Sequence, residues 1–282
     1  MTSAAPAPDY LAVGHLSLDQ TPSGPALGGT AAYAALTARA LGRRPAVVTS
    51  AGDDLDLSPL AEIPLRRVSS ERCTTFRNEY APEGRRQLLL ARALPLEAAD
   101  VPAAWRSAAI VHLAPIAGEM APSLAAAFSG NEVIGLTPQG WMRAWDEQGR
   151  VSSAPWKTAL PAIERADVVI VGLEDVNGDE SELDGLAAAC RLLVATEGPG
   201  GARVYWNHDV RRFPAPRVEA VDPTGAGDIF AAAFFIRFAE TRDPWEAARF
   251  GNVLASTSVT RRGLAGVPTP REAQQAAWVW SP

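Results

Sequence analysis

Apolar residues in this chain gather into short dense runs. Six stand out: YLAVG (Tyr10–Gly14), PAVVTS (Pro45–Ser50), AIVHLA (Ala109–Ala114), EVIGLT (Glu132–Thr137), DVVIVG (Asp167–Gly172) and RLLVAT (Arg191–Thr196). A strand with one wet face alternates apolar and polar residues, whereas a strand buried on both faces does not. The runs therefore predict interior strands of a mostly parallel sheet. Ala-rich stretches of helical character lie between several of them. The clearest is TAAYAALTARALG (Thr30–Gly42), with Gly42 placed as its C-terminal stop. Strand–helix alternation predicts the α/β class, with helices on both faces of the sheet. There is no internal repeat and no long linker, so residues 1–282 are expected to form a single domain.

One segment departs from this pattern. TTFRNEY (Thr74–Tyr80) alternates, and RRQLLLAR (Arg85–Arg92) follows after APEG. The pair predicts a β-hairpin with a four-residue turn. Inserted between βα units, it reads as a flap near residues 70–93, although a plain edge hairpin fits the same pattern.

Composition narrows the function classes. Of 282 residues, 47% are hydrophobic and 21% charged, which suits a globular chain. The net charge is -6 with no long basic run, which argues against nucleic acid as a partner. Met1–Asp9 is small, Pro-rich and without Lys or Arg, unlike a signal peptide. No apolar run approaches the ~18 residues of a membrane span. A cytoplasmic location and no membrane association are expected. Cys73 and Cys190 lie far apart and read as reduced thiols, and His15, His112 and His208 are too scattered for a histidine metal site.

The chemistry concentrates in VDPTGAGDIFAAAFF (Val221–Phe235), where two glycines and a carboxylate stand at the mouth of an apolar helix. Backbone N–H groups at a helix start converge on anions, and the helix dipole adds to their pull. A carboxylate there would repel an anion unless it handles a proton. Asp228 would then take the proton of an attacking hydroxyl, while the amides of Gly225, Ala226 and Gly227 stabilise a transferring phosphoryl group. An ordinary helix start, with Asp228 simply favourable to the dipole, fits the same spacing. The chain has no Walker A loop.

DPTGAGD (Asp222–Asp228) resembles the C-terminal signature of the PfkB family of carbohydrate kinases, which have the ribokinase-like fold. Further likenesses follow in family order over almost the whole chain: GHLSLD (Gly14–Asp19), GGTAAYAALTARALG (Gly28–Gly42), ATEGPGGA (Ala195–Ala202) and FGNVLASTSVTRRG (Phe250–Gly263). The resemblance implies a three-layer α/β kinase with a small β lid, using ATP and magnesium. It makes Asp228 the catalytic base and Gly225–Gly227 the anion hole. Asp19 would bind substrate hydroxyls, and Gly28 and Gly29 would let the backbone approach the substrate. Thr196, Gly198 and Gly201 would lie against ATP, with Asn252 near the base. Asp222 and Thr224 correspond to a monovalent-cation (potassium) site of some relatives, and a purely structural loop role suits them equally.

Two positions depart from the family. Tyr33 stands where Asn is common, which implies a changed substrate contact. Gly172 and Asp175 of GLEDVNGDE (Gly172–Glu180) stand where the family has the Asn and Glu that arrange magnesium and its waters. Asp175, helped by Glu174, is the remaining candidate. The stretch from Asp19 to Gly28 is short for a ribokinase-type strand pair, so the Thr74–Arg92 hairpin is expected to form most of the lid. TTFRNEY and TPQGWMRAWDEQGRV (Thr137–Val151) resemble the myo-inositol kinase branch, which favours a sugar or cyclitol. Trp141 and Trp145 suit either stacking on a substrate or the core. The resemblance implies a monomer or homodimer that phosphorylates a small polyol. A nucleoside kinase of the same fold and a non-catalytic sugar-binding protein remain the alternatives.

Overall fold

All six apolar runs are strands, and they lie side by side. The computed structural model describes residues 7–81 and 84–278. Along the chain come β1 (Tyr10–Val13), β2 (Ser17–Thr21), β3 (Gly24–Gly28), α1 (Thr30–Ala40), β4 (Pro45–Ala51), β5 (Leu65–Ser69), β6 (Thr74–Ala81) and β7 (Gly84–Ala91). Then follow β8 (Ile110–Leu113), β9 (Val133–Leu136), β10 (Arg143–Trp145), β11 (Val151–Ser153), α2 (Leu160–Ile163), β12 (Val168–Gly172), α3 (Glu180–Ala189) and β13 (Leu192–Thr196). The described chain closes with β14 (Ala202–Trp206), β15 (Asp209–Phe213), α4 (Ala226–Thr241), α5 (Pro244–Ser258) and α6 (Pro270–Trp278).

The large sheet has the order β15-β14-β13-β12-β9-β8-β1-β4-β5. Its strands are parallel from β13 through β5, and β14 and β15 are antiparallel at the other edge. Alternate residues of each strand feed two different cores. Val168 and Ile170 of β12, with Leu192 and Val194 of β13, pack with α1, α4 and α5. Val169, Val171, Leu193 and Ala195 pack on the other face with Trp156, Ile163, Leu183 and Leu186. This double burial is why the runs read as continuously apolar.

Helix α4 fixes the site to this frame. Ile229 through Ile236 are all buried, and each large apolar side chain buried there contributes roughly 1.5–3 kcal/mol. Gly135 of β9 makes room for the helix: a Cβ there would lie 2.5 Å from the Phe235 ring. Beside that ring, buried His112 holds the Tyr10 hydroxyl at Nδ1 (2.8 Å) and the Thr137 hydroxyl at Nε2 (3.0 Å). Burial pushes its imidazole down to about 3, so it is neutral.

A second sheet, β3-β2-β6-β7, rises from the C-terminal end of β1. The Thr74–Ala91 hairpin is present, though Pro82 and Glu83 of its turn lie outside the described residues. It supplies only half of this lid, contrary to the sequence expectation. The Ser17–Gly28 segment forms the antiparallel pair β2–β3, and β2 pairs in parallel with β6. Five-residue strands suffice because β2 borrows its second partner from a distant part of the chain.

Candidate active site

The lid and the carboxyl ends of the parallel strands enclose a cavity of about 160 Å³, the place where open α/β sheets bind ligands. Strand alternation decides what the lid presents to it. Ser17 and Asp19 of β2, Phe76 and Asn78 of β6, and Gln87 of β7 line the cavity, whereas Arg77 turns away to bind Gln20. Gln87 donates to Asn78 Oδ1 at 3.0 Å across the hairpin. The body contributes Gly29, Thr30, Tyr33, Ile116, Gln139, Arg143, Glu174 and the loop Pro223–Asp228 apart from Ala226.

Asp228 sits in the first turn of α4, behind Gly225, whose φ of 80° suits glycine. It does not cap the helix through its side chain. Its Oδ1 instead accepts a 2.7 Å hydrogen bond from the hydroxyl of Thr30, the first residue of α1. Two helix N-termini thus meet at the cavity, both favouring an anion. Gly225 and Gly227 line the cavity, while the Ala226 N–H turns back to the Pro223 carbonyl at 3.2 Å. An unperturbed Asp has a value of ~4. Burial instead pushes the Asp228 carboxyl up to about 6; the Thr30 hydroxyl and the Arg143 guanidinium pull it down, and Asp19 and Asp175 push it up. A carboxyl with that value is still about nine-tenths ionised at pH 7.

Asp19 faces Asp228 from the lid. Its carboxylate lies across Gly28, where a Cβ would come within 2.2 Å of Oδ2, and Ser17 donates to its Oδ1 at 2.8 Å. Gly28 therefore makes room for Asp19, while Gly29, at φ 90°, touches the cavity itself. Tyr33 fills the wall between α1 and the glycine loop: a Cβ on Gly225 would lie 2.3 Å from its Cε1. Burial raises its phenol, which is neutral.

The remaining predicted residues lie elsewhere. Asp175 lines a second cavity of about 740 Å³ that shares Gln87, Arg143 and Glu174 with the first. Its Oδ2 accepts from the Gly172 N–H at 2.8 Å. Thr196, Gly198, Gly201 and Asn252 line neither cavity. Thr196 pairs in register with Gly172 at the strand ends. Gly201 packs under the Phe213 carbonyl, 2.1 Å from where its Cβ would be, and Asn252 Nδ2 donates to the same carbonyl at 2.8 Å. Both oxygens of Asp222 take backbone N–H groups, from Thr224 and Gly263, each at 2.9 Å. Trp141 is buried and bonds the Met120 carbonyl, and Trp145 lies under Arg92; neither lines a cavity. Among the described residues, no group of three or more His, Cys, Asp or Glu side chains is placed to hold a metal ion.

Thr30, Asn78, Gln87, Gln139 and Arg143 join the cavity lining without any mark in the sequence pattern. The last two fall inside TPQGWMRAW, where the tryptophans drew attention, and nothing local marks them.

The sequence pattern of the pfkB family carbohydrate kinases matches residues 166–271. An inositol 3-kinase of Oryza sativa subsp. japonica is 30% identical over 264 residues, covering 87% of this chain and 65% of that protein. A cytidine kinase of Thermococcus kodakarensis is 28% identical over 263 residues, covering 86% and 93%. The chain thus spans about two-thirds of the rice protein's length and nearly all of the archaeal one's. Among solved structures, a pyrophosphate-dependent kinase in the ribokinase family, complexed with a pyrophosphate analog and myo-inositol, superposes with a TM-score of 0.78 at 19% identity, covering 95% and 99%. A putative ribokinase II from E. coli in complex with ATP and magnesium superposes with a TM-score of 0.73 at 18% identity, covering 96% and 99%.

Proposed function

The chain belongs to the pfkB family of carbohydrate kinases, and we propose that it transfers the terminal phosphoryl group of ATP to a hydroxyl of a small polyol, a sugar or a cyclitol. One observation carries this reading: a carboxylate pushed up to about 6 stands at a helix N-terminus in a polar cavity beneath a lid. Asp19, Asn78, Gln87 and Arg143 ring that cavity, a lining suited to an acceptor bearing several hydroxyls. Asp19 accepts from substrate hydroxyls, and Asn78 and Gln87 offer both donors and acceptors.

Asp228 removes the proton as the acceptor oxygen forms its bond to phosphorus and the bond to the leaving phosphate breaks. The amides of Gly225 and Gly227 and the α4 dipole stabilise the charge that gathers on the phosphoryl oxygens. Magnesium bound with the donor would neutralise phosphate charge. Asp175 and Glu174, on the wall of the second cavity, would hold its waters, since magnesium keeps several of them. By the family resemblance, Thr196, Gly198 and Gly201, which lie outside both cavities, would border the donor.

Two relatives favour neighbouring readings. The cytidine kinase keeps a nucleoside acceptor open, and the pyrophosphate-dependent neighbour keeps a shorter donor open. A product assay resolves both: ATP or pyrophosphate, with magnesium, against myo-inositol, ribose, fructose and cytidine. The expected result is a phosphomonoester formed from a polyol with ATP. No product from any pair would leave a sugar-binding protein on a kinase scaffold.

A further inference from the structure

We propose that Gln139 is a positioning residue for Asp228, a reading that rests on the phosphoryl-transfer function above. It carries the donor-only character of Arg143 through Thr30, committing Asp228 Oδ1 as an acceptor and leaving Oδ2 to take the substrate proton.

The polarity of the chain is forced. A guanidinium can only donate. Arg143 Nη1 donates to the Ile116 carbonyl at 3.1 Å, and Nη2 donates to Gln139 Oε1 at 2.8 Å. With its oxygen committed, the Gln139 amide presents its nitrogen to Thr30 Oγ1, also at 2.8 Å. That N–H occupies the hydroxyl oxygen, so the single hydroxyl proton points to Asp228 Oδ1 at 2.7 Å. A reversed amide would turn its NH₂ toward the Arg143 donors and its oxygen toward Thr30, taking the proton meant for Asp228. The chain is a tether and not a proton wire, because neither the guanidinium nor the amide gives up a proton at neutral pH.

The tether draws its links from separate parts of the sequence: Thr30 opens α1, Gln139 lies in the turn after β9, and Arg143 opens β10. Its far end also meets the lid, where the Arg143 guanidinium lies 5.9 Å from the Phe76 ring centre. The other groups facing Asp228 are Asp19 of β2, Asp175 and Glu174 after β12, and the neutral phenols of Tyr10 and Tyr33. Asp19 and Asp175 disfavour its ionised form, and the Thr30 hydroxyl together with Arg143 opposes them.

The test compares Gln139→Leu, Gln139→Glu, Thr30→Val and Thr30→Ser with the unchanged protein. Losing a hydrogen bond to a charged group is expected to lower kcat about tenfold in Gln139→Leu, with the donor KM unchanged. The acid limb of the kcat profile should move to higher pH. Gln139→Glu should do more, because its carboxylate competes for the Thr30 proton. Thr30→Val should match Gln139→Leu, and Thr30→Ser should restore both kcat and the limb. A readout that needs no turnover is the carbon-13 titration of Asp228 in the free protein, assigned by its loss in Asp228→Asn. The midpoint should rise in Gln139→Leu and Thr30→Val and return in Thr30→Ser. An unmoved midpoint in both would overturn the tether, whatever the enzyme phosphorylates. A shifted midpoint in a protein that phosphorylates no alcohol would uphold the tether and sink the kinase reading instead. Should Gln139→Leu fail to fold, Gln139→Glu takes its place, and an unmoved midpoint there would overturn the tether.

Discussion

At the scale of single residues, the site sets a carboxylate against its own environment. Asp228 is raised mainly by burial and held back by Thr30 and Arg143. A base must be ionised to act, so activity should be full well above pH 6 and fall as pH drops through that value. The expected kcat profile loses about tenfold per pH unit below about 6; a limb near the ordinary carboxylate value would show that burial does not act as described. Asp175 stands where the family has Glu, with its Oδ2 already bonded to Gly172. Asp175→Ala should raise the magnesium concentration needed for half-maximal activity several-fold while leaving the fold intact. Unchanged magnesium dependence would remove Asp175 from the site. Asp228 was legible because glycines and a carboxylate at a helix mouth are a local pattern. Gln139 and Arg143 were not, because their meaning arises only when Thr30 arrives from 109 positions away.

At the scale of elements, the lid is a sheet with pinned ends. His15, just after β1, holds both sides of the Thr74–Ala91 hairpin. Its Nε2 lies 2.9 Å from the Leu94 carbonyl, which only accepts, so Nε2 carries the proton. Its Nδ1 therefore accepts from the Thr74 hydroxyl at 2.7 Å, and Thr74 Oγ1 accepts in turn from the Ala93 N–H at 3.1 Å. Burial lowers the His15 imidazole toward its neutral form, which this pattern needs. Beyond these pins the hairpin also rests on the body, where Phe76 and Leu89 pack with Ile116 and Ala117, and tightening of that contact over substrate would exclude water from the transferring group. Hydrogen exchange should slow at Phe76–Asn78 and Gln87–Leu89 when polyol and donor are both bound, with little change at Thr74 and Ala93. Equal protection with and without ligands would reduce β6–β7 to an edge hairpin. The interior strands could be read because burial on both faces leaves a continuous apolar run. β2 and β3 could not be read as half of the lid, since SLDQT is short and largely polar, GPALG is short and rich in glycine and proline, and β2 pairs with a strand more than fifty residues away.

At the scale of the whole molecule, the sheet that carries the site also carries a buried imidazole. His112 falls to about 3 when folded, against an ordinary value near 6.5. The native state thus holds fewer protons than the unfolded chain between those values. Its contribution is complete above about pH 6.5 and is lost as pH falls toward 3, at up to about 1.4 kcal/mol per pH unit. Urea unfolding at pH 7.5 and pH 5 should show the wild type losing more stability than His112→Gln. Equal losses would mean that the imidazole is protonated in place. The parallel order of the sheet, its two cores and the helix behind the glycine loop were legible in the strand and helix patterns. The cavity was not, because it forms only where two sheets meet.

Turnover belongs to the whole assembly, yet it hangs on one carboxylate. Asn at position 228 keeps the shape and can still accept the Thr30 hydroxyl, but it cannot take a proton. It also removes a charge that burial disfavours, so the thermal midpoint of Asp228→Asn at neutral pH should be no lower than that of the wild type. The direct measurement is kcat of Asp228→Asn with the preferred polyol at saturating donor. A loss of at least about a hundredfold is expected, with the donor KM little changed. Turnover near the wild-type rate in a folded Asp228→Asn protein would contradict it, leaving Asp228 as a helix-start residue and not the base.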